Sequence, residues 1–357
     1  MSKLYPVGVQ NFEKVILGGY EYVDKTALIY QLFNTGSYYF LSRPRRFGKS
    51  LLLSTLEAYA QGKKELFKGL ALEKLEKDWT VYPVLHLDLN TQKYDTPESL
   101  TNVLEENVQN WEALYGASSS EIGVARRFQG IIRRACEQTG RRVVILIDEY
   151  DKPMLQAIGN EALQNEYRST LKAFYGALKS MDGCIRFALL TGVTKFGKVS
   201  VFSDLNNLMD ISMDDRYVEI CGISEKEIHT YFEEDIHALA TATGLTYEET
   251  CAELKSNYDG YHFTENAVGM YNPFSLLNTF AKKKFGSYWF ETGTPTYLVE
   301  LLKLHHYPIE ELEHIVTSQP VLDSIDTAST DPIPVIYQSG YLTIKGYNKM
   351  FENYTLG

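Results

Sequence analysis

Residues 38–53, YYFLSRPRRFGKSLLL, contain a short apolar run, a turn that ends in Gly48-Lys49-Ser50, and the start of a leucine-rich helix. In this order of strand, turn and helix, backbone N–H groups and a helix N-terminus can face phosphates. The lysine of such a turn reaches the terminal phosphates, and the serine hydroxyl ligates Mg²⁺. The last three positions of the G-x-x-x-x-G-K-[ST] motif are filled, but Arg43 stands where its first glycine belongs. On its own, Gly-Lys-Ser equally fits a surface turn.

A second stretch, VVILIDE at residues 143–149, favours the phosphate-binding interpretation. It is typical of a central apolar strand, and it ends in two carboxylates, Asp148 and Glu149. In phosphate-binding ATPases the first carboxylate holds the Mg²⁺ shell and the second activates water. The strand can lie near the first one, which disfavours the alternative of a solvated turn. Together the two stretches predict nucleotide binding.

The first 223 residues alternate apolar runs with amphipathic helical stretches, which favours a parallel sheet with helices on both faces. We predict further strands at residues 84–89 and 185–190, an edge strand at 217–220, and helices at 51–60, 99–115 and 129–138. From Ser224 a capping pattern begins a helical region that is broken at Gly260 and at Asn272-Pro273. Residues 335–344 favour a small unit of a helix and a hairpin.

Charge and composition exclude several classes of protein. The 357 residues carry 46 acidic against 35 basic side chains, so the surface as a whole suits nucleic acid poorly. The apolar content excludes a disordered chain, and the sequence shows neither a membrane span nor a secretory leader. The four cysteines are far apart, which disfavours disulfides and structural zinc. We therefore expect a cytoplasmic protein without a membrane partner.

Several motifs together resemble one known family. They are LSRPRRFGKSLLLSTL at 41–56, IDEYDKP at 147–153, GGYEYVDKT at 18–26, LLTGVTKFGKVSVFSDLNNLMDIS at 189–212, and YDGYHF with YNPFSLL between 258 and 277. The chain resembles the AAA-ATPase-like family of bacterial P-loop proteins from about Tyr5 to its end. Members usually carry a nuclease-like domain of the PD-(D/E)XK type after the ATPase part. Arg43 is an expected feature of that family.

The resemblance implies an α/β fold of the P-loop NTPase type, in its additional-strand class with sheet order 5-1-4-3-2. It further implies an ATPase core over residues 1–223, a helical lid over 224–330, and an incomplete winged-helix-like module over 331–357. The chain ends around where the nuclease domain begins in longer relatives, so no nuclease site is assigned to it. We expect nucleic-acid binding only through an attached domain.

The resemblance also implies contacts to ATP and Mg²⁺. Lys49 contacts the phosphates, Glu149 is the general base, and Thr191 senses the terminal phosphate or merely caps its strand. Ser50 and Asp148 hold Mg²⁺. Arg45 and Arg46 flank the turn and are expected to add charge-assisted contacts that offset the missing glycine. The predicted nucleotide-binding set is Arg43, Arg45, Arg46, Phe47, Gly48, Lys49, Ser50 and Leu51.

Five further residues have two interpretations each. Lys195 and Lys198 either report the terminal phosphate or are solvated loop charges, and the second is favoured. Tyr22 or Val23 either packs against the adenine base or belongs to the core. Asp151 either extends the carboxylate cluster or caps a helix, and the second is again favoured.

We predict an ATP-binding protein with slow or regulated Mg²⁺-dependent hydrolysis, used as a switch with Glu149 as base. The alternative is a nucleotide-binding interaction module without turnover that controls a nuclease or another partner protein. The altered glycine and the lack of a clear arginine finger motivate it. A homo-oligomer or protein partner would supply that arginine in trans. A third hypothesis is a DNA-binding regulator that uses the residues after Asp331.

Overall fold

The computed structural model describes residues 3–195, 201–202, 205, 207–265, 269–291, 296–305, 315–323 and 331–357. Its centre is a five-stranded parallel sheet with the order β2-β3-β4-β1-β5, which is 5-1-4-3-2 when read from the other edge. The predicted α/β class with a parallel sheet is therefore confirmed. The strands are β1 (Tyr38–Ser42), β2 (Val84–Asp88), β3 (Val143–Asp148), β4 (Ile185–Gly192) and β5 (Met209–Asp210).

Helices cover both faces of this sheet. Alternate residues of β3 point to opposite faces: Val143, Ile145 and Ile147 pack with the second group of helices, and Val144 and Leu146 with the first. The first group is α1 (Phe12–Leu17), α2 (Thr26–Thr35), α3 (Lys49–Ala60) and α4 (Ala71–Leu75). The second group is α5 (Pro97–Tyr115), α6 (Val124–Thr139), α7 (Lys152–Gln156) and α8 (Glu161–Ser180). Because both faces are covered, β1 and β3 are buried along their whole length.

The predicted edge strand at residues 217–220 is wrong. The structure forms a 3-10 helix over Asp215–Ile220, and the edge position belongs to β5. The Asp214 carboxylate accepts the backbone N–H of Arg216 at 3.0 Å, so a local cap fixes a helical turn there. The apolar side chains whose spacing resembles that of a strand are therefore buried while their backbone is a helical turn.

The region after β5 is mainly helical and has its own apolar cluster. Ser224 and Glu227 form the predicted capping box, and Pro273 occupies the first turn of its helix as predicted. The first helix ends at Tyr231, with Phe232 as its C-cap. The helices are α9 (Glu225–Tyr231), α10 (Glu233–Thr243), α11 (Tyr247–Tyr258), α12 (Pro273–Lys282), α13 (Tyr288–Glu291) and α14 (Thr296–His305). A small antiparallel sheet joins β6 (Ile223–Ser224), β8 (Met270–Tyr271) and β7 (Asp259–Tyr261) in that order.

The last described ranges form a second small unit. It contains α15 (Gln319–Asp323), α16 (Ile333–Gln338) and an antiparallel sheet of order β10-β11-β9, built from β9 (Ile315–Ser318), β10 (Ile344–Asn348) and β11 (Asn353–Leu356). The predicted helix near 335 is confirmed, but the hairpin lies further along the chain than predicted, because its two strands are Ile344–Asn348 and Asn353–Leu356. Ile336 and Leu356 belong to the same apolar cluster as one face of the central sheet, so this unit packs on the core.

Candidate functional site

The turn between β1 and α3 lies at the carboxyl edge of the sheet, where the order of strands reverses around β1. This is where parallel α/β sheets bind ligands. Arg46 and Gly48 have positive φ angles, 67° and 95°, and Gly48 caps α3. A Cβ on Gly48 would have open space, so its left-handed backbone is the reason for glycine here. Left-handed residues within such a turn direct successive N–H groups toward one point.

The Lys49 ammonium lies inside this turn. The side chain is 4% exposed, and its Nζ donates to the carbonyl oxygens of Arg43 at 3.0 Å and Pro44 at 3.4 Å. Glu149 Oε1 is 3.3 Å from the same nitrogen. The turn therefore fixes a buried positive charge at its centre, with an acidic group beside it.

Ser50, Asp148 and Thr191 form one hydrogen-bonded row across α3, β3 and β4. Ser50 Oγ donates to Asp148 Oδ2 at 2.5 Å, and Thr191 Oγ1 donates to Asp148 Oδ1 at 2.6 Å. Asp148 and Thr191 are buried. Two hydroxyl donors thus hold one carboxylate in a fixed orientation next to the lysine.

Glu149 is oriented differently from its neighbour Asp148. Its φ of 54° is left-handed, and its side chain is 18% exposed. This backbone turn at the end of β3 directs the carboxylate to the wall of the open cavity described below. Two adjacent acids therefore occupy two environments, one buried and hydrogen-bonded, the other facing the cavity.

Arg43 does not face this cavity, which corrects its predicted place beside the phosphates. Its side chain is 1% exposed, and Nη1 donates to the carbonyl oxygens of Ser42 at 2.9 Å and Ser212 at 2.7 Å. Nη2 reaches the Tyr217 oxygen at 3.4 Å, and Cζ lies 3.9 Å from the centre of the Phe263 ring. The guanidinium therefore ties the turn to neighbouring backbone, and burial lowers its pKa.

The other residues of the predicted nucleotide-binding set differ in whether their side chains face the cavity. The Phe47 ring is buried against Tyr261 and Phe263, at 4.8 and 5.6 Å between ring centres, so only its backbone is available to a ligand. Arg45, Arg46 and residues 48–51 line the cavity. Three cationic side chains of the turn thus face the cavity instead of four.

The cavity has a volume of about 830 Å³ and borders three parts of the chain. Residues 6–10 form one wall, and α12 and α14 contribute Phe274, Leu277 and Tyr297 to another. Lys152 and Glu149 stand at the β3 side. Residues 6–10 could not be predicted as part of the site, because Pro-Val-Gly-Val-Gln matches no ligand motif.

Tyr22 and Val23 are outside the described lining of the cavity. Tyr22 packs edge-on against Phe12, 5.1 Å between ring centres, and Val23 packs against the cluster of α9–α12. The structure thus favours core packing for both residues.

Lys195 is not a solvated loop charge. It is 3% exposed and forms ion pairs with Asp323 and, at 2.9 Å, with Asp210. Burial opposes the charge, but the two carboxylates outweigh it and raise the pKa of Lys195. It is also absent from the cavity lining, so it joins β5 and α15 instead of reaching phosphate. Lys198 lies outside the described residues.

Asp151 stands at the N-cap position of α7, but its carboxylate does not cap that helix. It accepts hydrogen bonds from the Thr194 backbone and hydroxyl, at 2.7 and 2.8 Å, and from the Val193 N–H at 3.3 Å. Burial, followed by the charge of Glu149, raises the pKa of Asp151 to about 6. The carboxylate therefore fastens the segment after β4 to the segment after β3.

The sequence of the chain matches the model of one known protein family. A family model described as "Predicted AAA-ATPase" matches residues 6–202, which is more than half of the sequence. The chain belongs to this family. The matched residues include the turn, Asp148, Glu149 and Thr191, and the family's description implies nucleotide binding.

One relative is a protein of Azotobacter chroococcum mcd 1 described as "Uncharacterized protein in vnfD 5'region". It is 40% identical over 344 residues, which cover 96% of this chain and 64% of the relative. The chain thus spans less than two thirds of that relative's length. Within the described ranges, no helix is both long and apolar enough to cross a membrane.

Proposed function

We propose that this predicted AAA-ATPase binds ATP with Mg²⁺ in the cavity and hydrolyses it as a nucleotide-dependent switch. The observation that carries the proposal is the buried Lys49 ammonium beside the Glu149 carboxylate, with the neighbouring acid Asp148 hydrogen-bonded to Ser50 of the same turn. A buried lysine in a turn of convergent N–H groups suits the β- and γ-phosphates. The remaining cavity has room for the sugar and base between residues 6–10 and α12.

Ser50 and Asp148 fit Mg²⁺. Both present oxygen ligands, which this ion prefers, and their oxygens are 2.5 Å apart. No cluster of three or more His, Cys, Asp or Glu capable of holding a metal occurs in the described ranges, which suits an ion held mainly by phosphate and water. When bound, Mg²⁺ would neutralise charge on the terminal phosphates.

Glu149 is the proposed general base. Its carboxylate faces the cavity next to Lys49, so it can accept a proton from water that attacks the terminal phosphate. Lys49 and the N–H groups of the turn stabilise the charge that develops on the phosphate. Thr191 orients Asp148 through its hydroxyl and thereby acts as a positioning residue.

The test is Mg²⁺-dependent phosphate release together with ATP affinity, for wild type and Glu149→Gln. We expect phosphate release by wild type only and ATP binding by both. If both bind ATP and neither releases phosphate, hydrolysis is refuted and a binding module without turnover takes its place. Phosphate release by Glu149→Gln at the wild-type rate refutes the role of Glu149.

The unit of β9, β10 and β11 and the helices α9–α14 are the proposed moving parts of the switch. The lid is expected over residues 224–330 and the winged-helix-like module over 331–357, so β9 lies within the expected lid although it pairs with β11. Switching would control a protein partner, a second copy of the chain, or an attached nuclease domain, since nucleotide state can reposition loops and helices. Removal of nucleotide should then change how tightly such a partner is held.

A further inference from the structure

Arg45 and Arg46 are exposed in the wall of the cavity, and each contacts an aromatic ring of the helical region. Arg45 Cζ lies 5.8 Å from the centre of the Tyr297 ring in α14. Arg46 Cζ lies 4.7 Å from the centre of the Phe274 ring in α12. Trp289 Nε1 in α13 donates to the Arg45 carbonyl oxygen at 3.2 Å. The phosphate turn thus touches three successive helices.

Neither guanidinium forms an ion pair with a carboxylate in the described part of the chain. Lys49, by contrast, is paired with Glu149, and Arg43 is tied to backbone oxygens. A guanidinium that rests on an aromatic ring is held more weakly than one bonded to phosphate. Both arginines can therefore exchange a ring for a phosphate oxygen.

The two arginines stand at different ends of the cavity. Arg45 rests on Tyr297 of α14, and α14 packs against α7, which begins three residues after Glu149. Arg46 rests on Phe274, one turn from Leu277, and Leu277 belongs to the apolar cluster against which Val7 packs. Arg45 therefore lies toward the general base, and Arg46 toward the wall of residues 6–10.

We propose that Arg45 binds the terminal phosphate of ATP, and so supplies within this chain the arginine that other ATPases take from a neighbouring subunit. The proposal rests on the proposed ATPase function. An arginine that contacts the terminal phosphate stabilises charge in phosphoryl transfer. Because the same guanidinium rests on Tyr297, binding of triphosphate withdraws it from α14. Diphosphate leaves that contact in place.

The experiment compares ATP and ADP affinities, in Mg²⁺ and by calorimetry, for wild type, Arg45→Ala and Arg46→Ala. We expect Arg45→Ala to weaken ATP binding by about tenfold or more, the loss of one charge-assisted bond, and ADP binding by less than about twofold. Arg46→Ala should weaken both nucleotides by similar factors. Arg45→Lys, which keeps the charge, should recover part of the ATP affinity.

Arg186→Ala is the matched control, because Arg186 lies over the Phe33 ring at 4.6 Å and is not among the cavity residues. It should change neither affinity. Equal effects of Arg45→Ala on ATP and ADP, or no effect on either, overturn the assignment of Arg45. Failure of wild type to bind either nucleotide overturns the proposed function itself. A rate per subunit that rises with protein concentration also contradicts an arginine supplied in the chain.

Discussion

Replacing Arg43 by leucine tests whether this arginine holds the fold together or contacts nucleotide. The two short donations to the Ser42 and Ser212 carbonyl oxygens contribute about 1.5 kcal/mol each, as expected for bonds from a charged donor. The stacked Phe263 ring adds about 1 kcal/mol. Relief from burying a charge offsets part of this, so we expect a net loss of about 3 kcal/mol in the free energy of unfolding.

The assay is urea unfolding followed by far-ultraviolet circular dichroism, with ATP affinity measured at low temperature, where the variant is folded. Arg45→Leu is the matched control, because Arg45 is exposed in the same turn and its replacement should change stability by less than about 0.5 kcal/mol. If Arg43→Leu unfolds at the wild-type urea concentration but loses ATP affinity, Arg43 is a ligand residue and the structural role is refuted.

Three further predictions concern buried polar groups. Because the folded protein raises the pKa of Asp151 from 3.8 to about 6, its contribution to stability is fully present below about pH 4 and is lost as pH rises through 6. Urea titrations at several pH values should show wild-type stability falling, relative to Asp151→Asn, by about 1.4 kcal/mol per pH unit between these limits; parallel curves would contradict this. Lys195→Met leaves Asp210 and Asp323 without their cation, so the free energy of unfolding should fall by about 3 kcal/mol in a urea titration. An unchanged urea midpoint would be inconsistent with the ion pairs. Thr191→Val removes one hydrogen bond from Asp148 and should raise the Mg²⁺ concentration for half-maximal ATP binding by about tenfold, whereas an unaltered Mg²⁺ requirement would exclude a positioning role.

The parts of the fold that were predictable from sequence are those where local residue type determines structure. The runs at 38–41 and 143–147 are apolar throughout, as expected of strands that are covered on both faces. Gly48 meets a left-handed backbone requirement that few other residues can. The pairing of Ser50 with Asp148 follows from placing the ends of two parallel strands at one edge.

The parts that were not predictable depend on residues far apart in the chain. The direction of the Arg43 side chain depends on a carbonyl oxygen of Ser212, and the burial of Lys195 depends on Asp323. Residue types in a turn do not show which way a long side chain points. Residues 217–220 have the composition of a strand but form a 3-10 helix, because the Asp214 side chain caps that helix locally. Apolar residues at these positions therefore predicted burial correctly but not the type of secondary structure.

The most direct test of nucleotide binding in this cavity is the ATP affinity of Lys49→Ala, measured by calorimetry with Mg²⁺. This substitution removes the charged Nζ of Lys49, which lies at the centre of the turn. Its loss should weaken ATP binding by at least about a hundredfold. Leu51→Ala, two residues further along α3 in the cavity wall, removes no charge and should keep an affinity within about tenfold of wild type. Binding of ATP by Lys49→Ala as tightly as by wild type would contradict the site, and with it both the hydrolytic switch and the binding module.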